Sequence, residues 1–243
     1  MISRVAYGDL EARMKVLAEG EGDVFLPNPE PSGRVEYVFI CMEPSLGRWA
    51  RSPDEARARV EAGFRNFVFS VEDFILHFCI RRYLLRSGER YHITDVSKGA
   101  MLVDRAGVAR SHRYASWNAL LLEEVDVVAT PEAGIFAVGR AVAQHLAGSG
   151  FPRPFTTIIH YSGQAAVARA AGILGHEASF EEFKGSVSLE DVLATADEVL
   201  KEWTPAFRDE TLARLASGEL SESRKQLIFN YKLAFERSKA PSP

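Results

Sequence analysis

The chain has 243 residues, 47% hydrophobic and 26% charged, and its 29 Lys and Arg against 33 Asp and Glu leave a formal charge of −4. That balance excludes a histone-like coat on DNA and a disordered chain, and the length suits one large domain or two small ones. Two cysteines, Cys41 and Cys79, are too few for a disulfide framework, a four-cysteine zinc site or a cysteine-ligated iron-sulfur cluster, so a cytoplasmic location with no metal and no cofactor is expected.

Gly8 to Glu19 reads as an amphipathic helix, followed by a Gly/Pro-rich loop through Gly33. Val35 to Cys41 is rich in strand formers and stops before Glu43-Pro44, where proline cannot continue a central ladder. Ser52-Pro53-Asp54-Glu55 is an N-cap signal for a helix to about Ala62, and Ser70-Val71-Glu72-Asp73 opens a second that ends near Gly88. Of the phenylalanines 64, 67, 69, 74 and 78, helical spacing assigns most to the core. A strand at Tyr91 to Thr94, a loop from Asp95 to Ser111 and a helix from Tyr114 to Glu124 come next. Two strand-and-helix units follow, with strands at Ile135 to Val138 and Phe155 to Ile159 and helices ending at Leu146 and Ala171. From Ser179 onward the pattern is helical, with a break at Trp203-Thr204-Pro205 and a new start at Ser221. Alternating strands and helices predict an α/β fold, a short central parallel sheet covered by helices. No run approaches the roughly 18 apolar residues of a membrane span. Met1 to Leu10 is already charged, so neither a membrane nor a signal peptide is expected.

Charge divides this chain unevenly. Residues 1–175 hold 20 basic and 20 acidic side chains, and residues 176–243 hold 9 and 13. The first part reads as one α/β domain, the second as an acidic helical extension packed on it, suited to a protein partner and not to DNA. Residues 44–113 carry 13 Lys and Arg against 8 acids, a stretch able to meet phosphate, although scattered arginines also suit solvated helix faces.

In an open parallel sheet, ligands bind beyond the carboxyl ends of the strands. Glu43, Asp95 and His160 each follow a predicted strand. Carboxylates orient water or balance a developing cation, and a histidine donates to a leaving anion. Around them, Val38-Phe39-Ile40-Cys41-Met42-Glu43-Pro44-Ser45 resembles the first motif of the uracil-DNA glycosylase superfamily, in which a strand ends in Gly-Gln-Asp-Pro-Tyr or Gly-Glu-Ala-Pro-Gly. Phe67-Val68-Phe69-Ser70 resembles the Phe-Ser stretch that places a ring on the flipped base. Tyr91-His92-Ile93-Thr94-Asp95-Val96-Ser97-Lys98 resembles the strand ending in a base-reading Asn. Phe136-Ala137-Val138-Gly139 resembles the Ala-Leu-Gly step, and Ile159-His160-Tyr161-Ser162-Gly163-Gln164 the closing His-Pro-Ser motif. The five motifs keep the family's order over residues 35–175.

The resemblance implies a three-layer αβα sandwich with a C-terminal helical extension, and cleavage of an N-glycosidic bond in DNA. Glu43 then positions water and stabilises the oxocarbenium-like sugar, and His160 donates to the base oxygen that gains charge. Phe69 stacks on an extruded base whose edge Asp95 contacts. Ser45, Lys98 and Ser162 meet phosphates, and Gln164 stands where the family inserts a wedge. Departures are Cys41 for glycine, Tyr161 for proline, Gln164 or Ala165 for the intercalating leucine, and Asp95 for asparagine. Loss of the leucine favours single-stranded or disrupted DNA. An ionised Asp95 has acceptors only and opposes uracil O4; either the substrate carries an exocyclic amine, or burial keeps Asp95 protonated and uracil binds. A catalytically silent DNA- or nucleotide-binding protein of the same fold is the alternative. A serine hydrolase using Ser45 or Ser162 lacks the G-x-S-x-G elbow.

Overall fold

Residues 4–47, 49–102, 110–162 and 165–239 are described by a computed structural model of the chain. From the N-terminus the elements run α1 (Arg4–Gly20), β1 (Val24–Phe25), β2 (Val35–Cys41), α2 (Pro53–Glu61), α3 (Val71–Cys79), β3 (Tyr91–Asp95), β4 (Gly99–Ala100), α4 (Arg110–Val128) and β5 (Ala129–Val138). They continue with α5 (Arg140–Gly148), β6 (Phe155–Ile158), α6 (Ala166–Ala171), α7 (Glu177–Phe183), α8 (Leu189–Val199), α9 (Pro205–Ala216) and α10 (Glu222–Lys239). A π-helical turn at Ile80–Leu84 extends α3, and a 3-10 turn at Leu200–Glu202 follows α8. The protein is mixed α/β, with a central four-stranded parallel sheet of order β3-β2-β5-β6 flanked by helices, consistent with three αβα layers. Contacts gather into two compact units, Met1–Asn66 with Glu89–Thr157 and Phe67–Gly88 with Ile158–Pro243. This grouping differs from the sequence division at residue 175, since residues 67–88 and 158–175 fall with the C-terminal helices.

In the first unit β2 runs parallel to β3 and to β5, with Cys41 opposite Asp95 and Phe39 opposite Phe136. Strand alternation puts Val38 and Ile40, with Ile135 and Ala137, on one face, packed on Leu121 and Val125 of α4 and Val142 and Leu146 of α5. On the other face Phe39 and Phe136 stack with ring centroids 4.8 Å apart. A central parallel strand buries both faces, which is why Val35–Cys41 lacks polar alternation. β5 starts six residues before Ile135, and its register shifts between Val35 and Tyr37. Pro131 lies in the shifted stretch and hid this start from a reading that treats proline as a strand boundary. β4 pairs antiparallel with β1, Val24 opposite Ala100, inside what reads as a loop; two-residue strands have no periodicity to detect. Gly139 joins β5 to α5 at φ 102, a conformation that L side chains rarely adopt.

The second unit is helical. α3 opens with a capping box in which Ser70 Oγ accepts from Asp73 N and Asp73 accepts from Ser70 N, as the sequence signal predicts. α3 packs on α8 and α10, and the Phe229 ring on α10 meets Phe180 and Phe183 of α7 at 5.5 and 5.1 Å. Thr204 caps α9 with Pro205 in its first turn, which explains the break after Trp203. Among the described residues no helix is long and apolar enough to cross a membrane.

Candidate active site

Because Cys41 and Asp95 are register partners, β2 and β3 end side by side. Val96 N donates to Cys41 O at 2.9 Å and Ser97 N to Met42 O at 3.2 Å, and a bridge between Ser45 and Met101 continues the pairing into the loops. Glu43 is held half-buried in that loop, between Met42 and the buried Pro44, and its charge reaches Asp95. Ser45 is exposed, and its backbone oxygen accepts from Trp49 Nε1 at 2.7 Å.

Asp95 is buried, with Oδ2 accepting a hydrogen bond of 2.5 Å from Asn66 Nδ2. Burial foremost, with the nearby Glu43 charge, pushes its pKa up to about 8 against the opposing pull of Lys98 and the Asn66 bond. A pKa raised that far favours the carboxylic acid at neutral pH, with one O–H to donate and one oxygen to accept. Asn66 bonding Oδ2 favours the proton on Oδ1.

Lys98 is not a phosphate ligand. It is 2% exposed, and its ammonium donates to Glu124 Oε2, Thr94 Oγ1 and the Asp95 carbonyl oxygen, each at 2.6 Å. Those three bonds use all three of its hydrogens. Glu124 also accepts from Thr94 Oγ1 at 2.8 Å and bonds His92 Nε2 at 3.0 Å. Burial alone raises a carboxyl pKa, but Lys98 and the His92 bond outweigh it and hold Glu124 at about 2. A lysine just after a strand end looks like a surface cation in sequence; its partner lies on α4, outside any local pattern. Other cations of residues 44–113 are also engaged internally: Arg57 with Asp54, Arg59 with Glu55, and Arg113 with Asp23.

In the second unit, Phe67 has φ 59, the one non-glycine residue at positive φ among those described. Its carbonyl accepts from Nε2 of buried His77 at 3.0 Å, a ring kept neutral because burial pulls its pKa down to about 4. Such a backbone costs about 1–2 kcal/mol and persists only where neighbours impose it. The turn ends at Phe69, whose N–H donates to Asp73 Oδ2 at 3.1 Å and whose carbonyl accepts from Arg214 Nη1 at 2.5 Å. The Arg214 guanidinium lies 4.0 Å from the Phe69 ring centroid. Phe64, Phe67, Phe74 and Phe78 are buried, whereas Phe69 is half-buried.

His160 follows β6 and is half-buried, its ring stacked on Tyr161 at 4.7 Å. Nδ1 accepts from Ser162 N at 2.9 Å, so in the neutral ring Nε2 carries the proton. Burial, then the Arg169 charge, lower its pKa to about 4, which keeps it neutral at pH 7. Arg169 donates to the carbonyls of Tyr161 and Ser162 and so fixes the loop around His160. Gln164 lies outside the described residues.

Glu43, Ser45, Asp95 and Lys98 thus belong to the first unit, where the structure brings Glu43 and Asp95 together at adjacent strand ends; Phe69, His160 and Ser162 belong to the second. Asn66, His92, Glu124, Arg169 and Arg214 were not singled out by sequence. Among the described residues no three or more His, Cys, Asp or Glu are grouped to hold a metal ion. Compared with known proteins, the chain matches no family model, no curated protein and no solved structure.

Proposed function

We propose that the protein is a monofunctional DNA glycosylase that hydrolyses the N-glycosidic bond of a deaminated base, uracil foremost, in base-excision repair. It would do so on a divergent uracil-DNA glycosylase-like fold. The observation that carries this reading is the burial of Asp95 at the carboxyl end of a parallel strand, which pushes its pKa up to about 8. An ionised aspartate repels uracil O4, whereas a neutral carboxyl donates to O4 and accepts from N3–H, as an asparagine amide does. Burial therefore favours uracil over an amine-bearing base.

The remaining groups suit the same chemistry. His160 donates from Nε2 to the base oxygen that becomes anionic as the bond breaks, and a neutral imidazole does this without giving up a full positive charge. The Glu43 carboxylate faces the sugar, balances its oxocarbenium character and orients water. The water oxygen bonds C1′ as the C1′–N bond breaks, the base departs as an anion with the bonding electrons, and the proton shed by the water passes through Glu43 to solvent, from which the released base is protonated. Phe69 stacks on the extruded base, and Ser45 and Ser162 lie within reach of the flanking phosphates. With Gln164 or Ala165 in place of an intercalating leucine, single-stranded or disrupted DNA is the favoured partner. Both cysteines are buried free thiols, which goes with a reducing, cytoplasmic setting. The stacking of Tyr161 on His160, where the family has proline, favours the second reading of a silent DNA- or nucleotide-binding protein, which predicts salt-sensitive binding without base release.

The test is a pH–rate profile of base release from oligonucleotides carrying uracil, hypoxanthine, xanthine or mismatched thymine, read as strand breaks after alkali. Below about 8 Asp95 holds its proton; above it the donor is lost and a negative charge appears. Uracil release should therefore fall as pH rises through that value, by about tenfold per unit on the alkaline side. Asp95→Asn, whose amide does not titrate, should retain uracil release and lose the alkaline limb. No break with any of these bases, or the same alkaline limb in the variant, overturns the assignment.

A further inference from the structure

We infer that Arg214, on α9, is a positioning residue for base release: it fixes Phe69 and places a cation behind the aromatic ring over which the anionic base departs. The inference rests on the glycosylase reading and gives the C-terminal helices a part in the reaction.

Arg214 touches Phe69 twice. Its Nη1 donates to the Phe69 carbonyl at 2.5 Å, and its guanidinium lies 4.0 Å from the ring centroid. The Phe69 N–H is held from the other side by Asp73 Oδ2. The four neighbouring phenylalanines are buried. Phe69 keeps part of its surface in solvent, and side chains hold both of its backbone polar groups, Asp73 on the N–H and Arg214 on the carbonyl. A ring fixed this way is a platform more than a core residue. Arginine at this distance over a ring is attracted by its quadrupole and draws electron density toward the covered face. A base stacked on the other face meets a ring with a positive charge behind it.

Charge makes the effect selective. Uracil is neutral while bound and anionic as the glycosidic bond breaks, so a cation one ring-thickness away attracts the departing base far more than the bound one. Interactions that strengthen only along the reaction raise kcat and leave KM nearly unchanged. α10 supports the same unit's other functional loop: Tyr231 Oη donates to the Ile159 carbonyl at 2.9 Å, next to His160. Arg169, which holds the loop's carbonyls, donates to Ser223 Oγ at 3.2 Å. The acid excess of residues 176–243 speaks against a DNA contact by the extension, and support of these two segments gives it another role.

The experiment compares wild type, Arg214→Gln, which keeps a donor for the Phe69 carbonyl without the charge, and Arg214→Lys, which keeps the charge. Single-turnover release of uracil and of 5-fluorouracil, a better leaving anion, is measured with binding of uracil-containing single-stranded oligonucleotide and thermal melting. Arg214→Gln should lower kcat for uracil by about tenfold and for 5-fluorouracil by about threefold, with KM within about twofold, and Arg214→Lys should recover most of the loss. Unchanged kcat in Arg214→Gln, or equal loss on both bases without recovery in Arg214→Lys, overturns the inference while wild-type activity keeps the glycosylase reading. If wild type binds DNA but releases neither base, the glycosylase reading fails, and the role of Arg214 in base release fails with it. A wild type that neither binds nor releases a base overturns both.

Discussion

Glu43→Gln and His160→Ala are each expected to lower the rate of uracil release by roughly a hundredfold to ten-thousandfold. Glutamine keeps the shape of Glu43 and removes the negative charge that, on the glycosylase reading, balances the sugar cation. Alanine at 160 removes the donor whose orientation is set by the Ser162 N–H on Nδ1. Burial pulls the His160 pKa down to about 4, so on the same reading its loss acts through hydrogen bonding to the departing base and not through a change of net charge at pH 7. Single-turnover assays with excess protein measure the chemical step. Rates near wild type in either variant would remove that residue from the reaction.

Breaking the buried Lys98–Glu124 pair is expected to destabilise the fold by about 3–5 kcal/mol, because either single substitution leaves an uncompensated charge in the core. The pair is 2% and 1% exposed, and His92 and Thr94 bond the same carboxylate. Urea denaturation of Lys98→Met and Glu124→Leu would show the loss, and the double variant should regain most of it by replacing the pair with apolar volume. Single variants as stable as wild type would mean that the pair opens to water. Acid acts on the same bond: Glu124 is depressed from 4.5 to about 2, so its contribution is complete above the upper value and fades as pH falls toward the lower. Lys98 also pulls the Asp95 pKa down. Wherever Lys98→Met still folds, its alkaline limb of base release should begin above the wild-type one.

Much of the fold is visible in local pattern. Val35 to Cys41 forms β2 with the bounds its strand formers give, and Ser52 and Ser70 cap the helices their signals announce. What is not visible is short or distant. β1 and β4 are two residues each, and the π turn at Ile80–Leu84 has no sequence signature. The resemblance implies a phosphate contact for Lys98, whereas the side chain is buried against an α4 glutamate 26 residues away, a partner no local motif shows. Sequence alone leaves the state of Asp95 open between two outcomes, since it shows the residue type and not its solvation. Arg214 lies 145 residues from Phe69, beyond the reach of any motif.

The most direct measurement is mass spectrometry of the products when purified protein is incubated with a single-stranded oligonucleotide containing one uracil. Free uracil and an oligonucleotide of unchanged length that carries hydroxyl in place of the base at C1′ are the expected products. They should appear below pH 8 and vanish with Glu43→Gln. An intact oligonucleotide, or one cut in its backbone with uracil still attached, contradicts the glycosylase reading.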